Sequence, residues 1–446
     1  MLRFGTDGVR GDADTQFSTA FVVALGRAAA SVLGTEYPFL IGTDTRASGP
    51  RIAHDLAVGL RSAGAAVEML GVLTTPGIAF ASQSRLAPAA VISASHNPWS
   101  DNGIKFFAPG GLKLNDAAQS EIERHLENAS DEQGASLGAH TFDHDPGIID
   151  DKALALRYQE HLWASLEGRR LDGLRVVIDA ANGAASALAM PVFGEAGATV
   201  SVIHAMPDGT NINANCGSTY MGSLRDAVLA ANAHVGFALD GDADRCLAVD
   251  EFGNVIDGDE LMVALAIDMK QRGALDGNSL VVTVLSNLGL HIAMRSAGIA
   301  VVETPVGDRS VMAALESGGF ALGGEQSGHI IVRHRATTGD GLLTALLFSD
   351  LLRRRAMSAS AAKAQMVALP QVMVNVVVSA IPDLPAAAEL WSAVAAAEST
   401  LGDSGRVLVR ASGTEPLIRV MVEAPTEVDA RECAERLAHI VRTMWA

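Results

Sequence analysis

The chain of 446 residues is too long for one hydrophobic core and has room for about two to four domains, at roughly 100 to 200 residues each. Apolar residues make up 49% of it and charged residues 19%, which is typical of a folded globular protein and excludes a disordered one. The net charge of -18 argues against nucleic acid or an anionic membrane as a partner, because their phosphates attract clustered Lys and Arg.

The cysteines and the N-terminal segment indicate where the protein works. Cys216, Cys246 and Cys433 are widely spaced and form no CxxC pair, which favours a reducing compartment over a disulfide scaffold. The segment MLRFGTDGVRG lacks the basic and apolar parts of a secretory signal, and no stretch reaches the roughly 20 apolar residues that span a bilayer. We therefore expect a cytoplasmic protein without a membrane attachment.

The first part of the chain alternates apolar runs with Ala-rich segments of helical period. Examples are FVVALGRAAASVLG, then PFLIGTD, then RIAHDLAVGLRSAGAAVEML. This alternation is typical of an α/β domain, in which helices cover strands that are buried on both faces. The polar stretch from Glu127 to Asp151 is predicted to be a linker that closes this domain.

Further series of elements follow. A second series of strand, loop and helix begins at LRVVIDAANGA, and a third begins at SLVVTVLSNLG. The alternation in LPQVMVNVVV predicts a sheet with one exposed face, and the strand LIRVMVEA and the helix ARECAERLAHIVRTMW complete a smaller α+β unit. The predicted domains are residues 1–148, 149–246, 247–362 and 363–446.

Four apolar strands run directly into loops of small and polar residues, one in each predicted domain. They are AAVISASHNP, HVGFALDGDADR, GGFALGGEQSGH and GRVLVRASGTEP. Ligands of α/β proteins bind at the carboxyl ends of strands. We therefore expect the four loops to converge on one interdomain cleft.

The loop DGDADR alternates Asp240, Asp242 and Asp244 with small residues, and this density of hard oxygen ligands suits Mg²⁺. A solvated acidic turn is the simpler alternative. An EF-hand is another, because Glu251 is twelfth from Asp240, but Arg245 occupies the sixth position, where Gly is needed, and the flanks look like strands. A Mg²⁺ ion linked to a phosphate, with Arg245 paired to the same phosphate, fits better.

The loop SASHNP places Ser95 beside His96 in a turn that Pro98 ends. These are ordinary turn residues, and a hydrolytic Ser–His arrangement is not favoured because G-x-S-x-G is absent here. Ser95 is better suited to carry a phosphate beside the metal. Lys105, in the following DNGIK, could neutralise charge or move a proton.

The loop GGEQSGH offers Glu325, Ser327 and His329 between glycines that allow a ligand to approach closely. A carboxylate beside a hydroxyl can bind vicinal sugar hydroxyls, and a flexible polar loop is the alternative.

The last loop, RASGTEP, is predicted to bind an anion. Ser412 and Glu415 have the spacing of a capping box, but LIRVMVE continues as a strand, so no helix follows to be capped. The residues of this phosphate cradle are Arg410, Ser412, Gly413, Thr414 and Arg419.

Taken together, these motifs resemble the α-D-phosphohexomutase family along the whole chain: FGTDGVRG, ISASHNP with DNGIKFF, DGDADR, GGEQSGH and SGTEPLIRVMVE, in that order. The resemblance implies three tandem mixed α/β domains of similar fold and a smaller C-terminal α+β domain, around a central cleft. It implies that Ser95 carries a phosphoryl group as a phosphoserine. One Mg²⁺ per chain would be bound by this phosphoserine together with Asp240, Asp242 and Asp244.

The resemblance also assigns candidate roles to residues. The candidate catalytic residues are Ser95, Arg10, His96, Lys105 and His329. The candidate substrate-binding residues are Arg245, Glu325, Ser327, Arg410, Ser412, Gly413, Thr414 and Arg419.

Within the family, GEQSGH and SGTEP are similar to the bacterial glucosamine branch, whereas the mannose and glucose branch tends towards GEMSGH. The reaction implied is the isomerisation of glucosamine 6-phosphate to glucosamine 1-phosphate through a bisphosphate, for UDP-N-acetylglucosamine and cell-wall synthesis. A hexosamine or hexose 1,6-bisphosphate would prime the serine. The partner is thus a small sugar phosphate, and a homodimer is left open.

Several alternatives to this function are kept. Pro305 and Ser310, in ETPVGDRS, depart from the glucosamine branch, so phosphomannomutase or phosphoglucomutase activity is the nearest alternative. A metal-dependent sugar phosphatase would use the same serine and carboxylates. A non-catalytic sugar-phosphate sensor would tolerate the loss of Ser95.

Overall fold

The computed structural model describes residues 2–5, 7–132, 152–380, 382–412 and 416–445. The chain forms two compact units. The first comprises Met1–Leu285 and Ile299–Ala364 and contains three sheets, and the second comprises Ser286–Gly298 and Gln365–Ala446 and contains one. Within the described ranges, every helix is too short or too polar to span a bilayer.

The first sheet has a parallel centre with antiparallel strands added to one side. Its elements and the helices around it are β1 (Val9–Asp12), α1 (Thr19–Leu33), β2 (Phe39–Thr43), α2 (Gly49–Ser62), β3 (Val67–Val72), α3 (Thr75–Arg85), β4 (Ala89–Ile92), β5 (Asp101–Ala108), β6 (Leu112–Lys113) and α4 (Asp116–Glu132). β2 is parallel to β3 and β4, and β5 is antiparallel to β4, β1 and β6. All of β2 is buried, as expected for a strand between two layers of helices.

Two segments of this domain differ from the simplest interpretation of the sequence. The predicted linker begins at Glu127, but α4 continues to Glu132, and Ile122 and Leu126 of this helix pack on the first core. The rest of the predicted linker, residues 133–151, lies outside the described residues. The segment RIAHDLAVGLRSAGAAVEML contains both α2 and the start of β3, separated by Gly64 at a φ of 91°.

The second sheet repeats this arrangement. Its elements are α5 (Lys152–Ala164), β7 (Arg175–Asp179), α6 (Ala189–Glu195), β8 (Thr199–Ile203), α7 (Gly222–Ala230), β9 (Val235–Leu239), β10 (Cys246–Asp250) and β11 (Val255–Ile256). β7 is parallel to β8 and β9, and β10 is antiparallel to β9 and β11. The predicted boundary after residue 246 falls within β10, because all five residues of this strand pair with β9 and keep it in the second sheet.

The third sheet is smaller. Its elements and their neighbours in sequence are α8 (Gly258–Gln271), β12 (Ser279–Thr283), α9 (Leu288–Ala297), β13 (Ala300–Thr304), α10 (Asp308–Gly318), β14 (Leu322–Gly324), β15 (Ile330–Val332), α11 (Gly341–Arg355) and α12 (Ala359–Lys363). β12 is parallel to β13 and β14, and β14 is antiparallel to β15. α9 belongs to the second compact unit.

The three sheets share one topology. A central strand, β2, β7 or β12, has a parallel strand on each side, and the later of these, β4, β9 or β14, pairs with an antiparallel strand that follows it. The prediction of three mixed α/β domains of similar fold is therefore confirmed.

The fourth sheet is entirely antiparallel. Its elements are β16 (Gln371–Val377), α13 (Ala388–Leu401), β17 (Arg406–Ala411), β18 (Leu417–Glu423) and α14 (Glu427–Trp445), with β18 in the centre. Val372 and Val376 are buried while Met373 and Val377 are exposed, so the predicted one-sided alternation is present. The buried face packs with α13 and α14 in one apolar core, which confirms the smaller α+β domain. Short 3-10 helices occur at Gly217–Thr219, Asp276–Asn278, Leu384–Ala386 and Gly402–Ser404.

The backbones of α1 and α2 approach each other where only glycine fits. A Cβ atom on Gly59 would lie 2.1 Å from the carbonyl oxygen of Val23, and one on Gly26 would lie 2.5 Å from that of Leu56. Gly194, near the end of α6, has no atom within 4 Å of its Cβ position. Replacing Gly59 or Gly194 by Ala therefore makes the same chemical change in a helix, but only Gly194 has space for the added methyl group.

We expect Gly59→Ala to lower the free energy of unfolding by about 1 to 3 kcal/mol, because the two helices must separate to admit the methyl group. Gly194→Ala should leave stability unchanged or raise it by up to about 1 kcal/mol through helix propensity. Urea unfolding of both variants measures the difference. Equal stability of the two variants would contradict this account of the helix contact.

Candidate active site

Three of the predicted loops occupy the same topological position in the first unit. Each connects the last parallel strand of its sheet to the antiparallel strand that follows. They carry Ser95 after β4, then Asp240, Asp242 and Asp244 after β9, and Glu325, Ser327 and His329 after β14. This is the carboxyl edge at which α/β sheets bind ligands.

Ser95 is buried and points at the carboxylate loop. Its backbone has a left-handed φ of 53°, and its N–H donates to Ser93 Oγ at 2.9 Å. Its hydroxyl donates to Asp240 Oδ2 at 2.5 Å, and His96 Nδ1 lies 3.3 Å from the same Oγ. A non-glycine residue keeps this backbone conformation only where its surroundings impose it. The structure thus brings the predicted phosphoryl carrier to the predicted metal loop.

Arg46 imposes much of this conformation, and the sequence analysis did not identify it. Its guanidinium is buried, pairs with Asp44 Oδ2 at 2.9 Å, and donates to the carbonyl oxygens of Ser95 and Asn97 at 2.9 Å each and of Asp101 at 3.0 Å. A planar group with five donors suits such a cluster of carbonyls. The available signal was the pair of opposite charges in TDTR, directly after β2.

Asn213 holds the same loop from the second domain. Its Nδ2 donates to the carbonyl oxygen of Ser95 at 2.8 Å and to that of Asn97 at 3.0 Å. Nothing in the local sequence around Asn213 distinguishes it from a turn residue. It could be found only from the three-dimensional arrangement.

The three aspartates form a compact cluster. One carboxylate oxygen from each lies within 4.8 Å of the others, and all three residues are buried. Oδ1 of Asp242 and Oδ1 of Asp244 accept no hydrogen bond from any described residue. Burial, followed by the charges of Asp244 and Asp242, raises the pKa of Asp240 well above its usual value. Unsatisfied hard oxygens, together with the Ser95 hydroxyl, are a donor set that fits Mg²⁺.

The flanks of this loop are the strands β9 and β10, so the EF-hand alternative is excluded for these residues. Glu251 instead accepts hydrogen bonds from the N–H and the hydroxyl of Ser360.

Lys105 provides the positive charge beside the cluster. Its Nζ lies 2.8 Å from Asp242 Oδ2, 3.4 Å from Asp244 Oδ2 and 2.9 Å from Asp7 Oδ2. Burial acts to lower the pKa of Lys105, but Asp242, Asp7 and Asp244 outweigh it and raise the pKa above its usual range. Burial likewise acts to raise the pKa of Asp242, and Lys105 lowers it below its usual range. Both groups are therefore charged at neutral pH.

Asp7 extends this network. It lies in the motif FGTDGVRG, but the sequence analysis did not name it as a candidate site residue. Lys113 Nζ is 2.5 Å from Asp7 Oδ1 and also contacts Asp308, and Arg10 pairs with Asp7 as well. Burial acts to raise the pKa of Asp7, but Lys105, Lys113 and Arg10 lower it well below its usual value. Arg10 is the residue of this motif that stands out in the sequence. Its partner Asp7 contacts the charged groups of Arg10, Lys105 and Lys113.

Arg10 and Arg245 bring further positive charge to the site. The Nε atoms of both are buried and have no hydrogen-bond partner in the part of the chain that the structure describes. Arg245 Nε lies 3.9 Å from Asp244 Oδ1. Burial, with Arg245 and Arg10, lowers the pKa of His96 to about 4, so His96 is neutral at pH 7. Unsatisfied guanidinium donors of this kind suit a phosphate group.

The third loop and these arginines line one cavity of about 360 Å³, a size typical of small-ligand sites. Residues from the N-terminal segment, the carboxylate loop and the third domain all contribute to it. Its lining includes Asp7, Arg10, Asp244, Arg245, Gly307, Asp308, Glu325 and His329.

Within this cavity, Glu325 and His329 are held by backbone N–H groups. Gly307 N–H donates to Glu325 Oε1 at 3.1 Å, and Gly339 N–H donates to His329 Nε2 at 3.1 Å. Because Nε2 accepts this hydrogen bond, neutral His329 carries its proton on Nδ1. Ser327 is exposed at the tip of the loop and is not among the cavity-lining residues.

The predicted phosphate cradle belongs to the second unit. Arg410 on β17 pairs directly with Arg419 on β18, and Ser412 is buried just beyond β17. Burial and the charge of Arg419 lower the pKa of Arg410, which is the electrostatic situation that a bound anion relieves. Gly413 and Thr414 lie outside the described residues.

We expect Asp244→Asn to weaken Mg²⁺ binding by at least about tenfold, or about 1.4 kcal/mol, because the site loses one of three charged oxygen ligands. Isothermal calorimetry with Mg²⁺ measures this. Glu251→Gln is the matched control: it alters the twelfth position of the EF-hand alternative and should leave the affinity unchanged. A loss of Mg²⁺ affinity in Glu251→Gln alone would overturn the assignment of the three aspartates as Mg²⁺ ligands.

Comparison with known proteins gives a consistent result for every domain. Models of the phosphoglucomutase/phosphomannomutase family match α/β/α domain I at residues 1–133, domain II at 156–253, domain III at 257–369 and the C-terminal domain at 373–440. A Thermobifida fusca protein named phosphoglucosamine mutase is 48% identical over 447 residues, covering 98% of each chain.

Solved structures show the same fold. A phosphoglucomutase/phosphomannomutase family protein from Burkholderia thailandensis covers 98% of this chain and 97% of its own, with a TM-score of 0.80 at 24% identity. The Aspergillus fumigatus N-acetylphosphoglucosamine mutase in complex with GlcNAc-6P and magnesium covers 100% and 96%, with a TM-score of 0.72 at 18% identity. With all four domains matched, the resemblance inferred from the motifs is confirmed, and the chain belongs to the phosphoglucomutase/phosphomannomutase family of phosphohexomutases.

Proposed function

We propose that this protein is a cytoplasmic phosphoglucosamine mutase, an isomerase that interconverts glucosamine 6-phosphate and glucosamine 1-phosphate through a phosphoserine at Ser95. The observation that carries the proposal is the hydrogen bond of 2.5 Å between Ser95 Oγ and Asp240 Oδ2, which sets a buried hydroxyl against the carboxylate cluster. The name of the Thermobifida fusca relative and the motifs GEQSGH and SGTEP support the amino sugar as substrate. The product would supply UDP-N-acetylglucosamine for cell-wall precursors.

Phosphoserine 95, Asp240, Asp242 and Asp244 would hold one Mg²⁺. The free Oδ1 atoms of Asp242 and Asp244 support this, as does the magnesium in the Aspergillus fumigatus complex. When bound, the ion supplies positive charge that stabilises a phosphoryl group during transfer.

In the first half of the cycle, phospho-Ser95 gives its phosphoryl group to the free hydroxyl of a sugar monophosphate. The bond from phosphorus to Ser95 Oγ breaks and a bond to the sugar oxygen forms, and the proton that the sugar hydroxyl loses is balanced by the proton that Ser95 Oγ takes up as it leaves. In the second half, the bond from phosphorus to the other sugar oxygen breaks, this oxygen takes up a proton, and the phosphoryl group passes to the Ser95 hydroxyl. Its proton has an acceptor in Asp240 Oδ2, to which the hydroxyl already donates. A hexose or hexosamine 1,6-bisphosphate would prime unmodified Ser95.

The surrounding charges act by position. Lys105, whose Nζ contacts Asp242, Asp244 and Asp7, contributes positive charge beside the transferring phosphoryl group. His329 offers the Nδ1 proton as a donor to a substrate oxygen, since its Nε2 is engaged by Gly339. Arg10 and Arg245 bind the transferring phosphate through their free Nε donors.

Sugar and phosphate recognition use the remaining candidates. Glu325 keeps one carboxylate oxygen for sugar hydroxyls, because Gly307 engages the other, and Ser327 adds a hydroxyl. The residues proposed to bind a phosphate group in the second unit are Arg410, Ser412, Gly413, Thr414 and Arg419.

The nearest alternative is a phosphomannomutase or phosphoglucomutase, which the departures at Pro305 and Ser310 favour. A metal-dependent sugar phosphatase would release inorganic phosphate and need no bisphosphate primer. A sugar-phosphate sensor would not need Ser95.

We expect the wild type, with Mg²⁺ and a hexose 1,6-bisphosphate primer, to have a higher kcat/KM for glucosamine 6-phosphate than for the 6-phosphates of glucose and mannose. Ser95→Ala should lower kcat by at least about 1,000-fold, because it removes the phosphoryl carrier. Ser100→Ala is the control, since this serine is exposed in the same loop and should leave kcat unchanged. Coupled assays of the three 1-phosphate products measure these values.

Each alternative has its own outcome in these assays. Preference for glucose or mannose would move the chain to the sister branch, and release of inorganic phosphate without a primer would indicate a phosphatase. Full activity of Ser95→Ala would contradict the phosphoserine mechanism.

A further inference from the structure

A second group of metal-ligating side chains lies in the second domain and shares no residue with the carboxylate cluster. Asp179 ends β7, His204 follows β8, and Cys216 precedes the 3-10 helix Gly217–Thr219. One ligand atom of each lies within 4.8 Å of the other two. Since β7 and β8 are neighbouring parallel strands, the three residues meet at the carboxyl edge of the second sheet.

Asp179 is a buried carboxylate in a fixed orientation. Its Oδ1 accepts a hydrogen bond from Ala181 N–H and its Oδ2 accepts one from Gly217 N–H, both at 2.9 Å. Among the described residues, its one ion-pair partner is His204. Asp179 is thus a fully buried, oriented carboxylate whose Oδ2 faces the imidazole of His204.

His204 lies against Asp179 in a way that a hydrogen bond does not explain. Its Nδ1 is buried and only 3.1 Å from Asp179 Oδ2, yet the geometry makes no hydrogen bond, and no other described group provides one. Zn–N and Zn–O bonds of about 2.0 to 2.2 Å at a tetrahedral angle place their two donor atoms roughly 3.3 to 3.6 Å apart. The observed separation of nitrogen and oxygen is thus close to that of two ligands on one ion.

Cys216 completes the group with a sulfur atom. Burial, followed by the charge of Asp179, raises the pKa of this thiol to about 12, so it is protonated at neutral pH without a metal. A divalent ion would take the place of the Sγ proton, which leaves to solvent. The carboxylate and the thiolate would then balance the two charges of the ion, with a neutral imidazole as third ligand.

We propose that Asp179, His204 and Cys216 form a second metal site, selective for Zn²⁺ over Mg²⁺, with water as the fourth ligand. Nitrogen and sulfur donors favour Zn²⁺, whereas Mg²⁺ prefers oxygen alone. The side chain of His204 is 30% exposed, which leaves a path for the ion and the water. The proposal does not rest on the mutase chemistry proposed above.

The site also has a structural consequence for the phosphoserine loop. Cys216 is three residues from Asn213, whose side chain holds the carbonyl oxygens of Ser95 and Asn97. An ion bound to Cys216, Asp179 and His204 would fix the segment 213–216 to the ends of β7 and β8.

The test uses Co²⁺ as a spectroscopic substitute for Zn²⁺, with the full-length protein in saturating Mg²⁺ so that the carboxylate cluster is occupied. A thiolate ligand produces a near-ultraviolet charge-transfer band on Co²⁺, and the carboxylate cluster contains no sulfur. We expect the band to saturate at about one Co²⁺ per chain and to disappear on addition of Zn²⁺. Cys216→Ser should abolish it, and His204→Gln should weaken Co²⁺ binding by at least about tenfold.

Cys433→Ser is the matched control, because this cysteine lies in α14 of the second unit, and it should retain the full band. Wild-type protein without the band, or a band that survives in Cys216→Ser, would overturn the proposal. Far-ultraviolet circular dichroism checks that the variants fold. If Cys216→Ser does not fold, His204→Gln decides, since its side chain is partly exposed, and unchanged Co²⁺ affinity in that variant would also overturn the site.

Discussion

Three buried carboxylates can share one corner of a protein only if positive charge lies beside them. Two like charges 4 Å apart repel by roughly 4 kcal/mol at an effective dielectric constant of 20, and burial adds to this penalty. Lys105 meets the requirement by touching Asp242, Asp244 and Asp7 at once, and Lys113 continues the alternation of charge to Asp308. The proposed phosphoserine chemistry depends on this balance, because the balance keeps a strong electrostatic field next to a buried hydroxyl.

The repeated fold explains how such a site is assembled from distant parts of the chain. In each sheet of the first unit, the chain turns from the last parallel strand into an antiparallel strand. Each of these turns presents its polar residues at the carboxyl edge of the sheet. The Ser95 loop is held in its left-handed conformation by Arg46 from its own domain and by Asn213 from the next. Rigid strands and these side chains together fix Ser95 Oγ beside Asp240.

The sequence predicted the elements and the candidate site residues that meet in the first unit because their signals are local. The period of the apolar residues indicated the α/β units, and D-x-D-x-D after a strand indicated the carboxylate cluster. Asp7, Arg46 and Asn213 were missed because their roles depend on groups far along the chain: Asp7 meets Lys105, and Arg46 and Asn213 meet the carbonyls of residues 95 and 97. The predicted domain boundary after residue 246 falls inside β10 for a similar reason. The pairing with β9 that keeps this strand in the second sheet is a tertiary contact, which the local sequence does not indicate.

The central claim is that Ser95 carries the phosphoryl group, and the most direct measurement is to observe the group on that residue. Protein freed of phosphate is incubated with glucosamine or glucose 1,6-bisphosphate and Mg²⁺, and the modification is located by mass spectrometry of the intact chain and its peptides. The account predicts one phosphoryl group per chain, on Ser95, which transfers to added glucosamine 6-phosphate. A phosphoryl group on another residue, or turnover with Ser95 unmodified throughout, would contradict it.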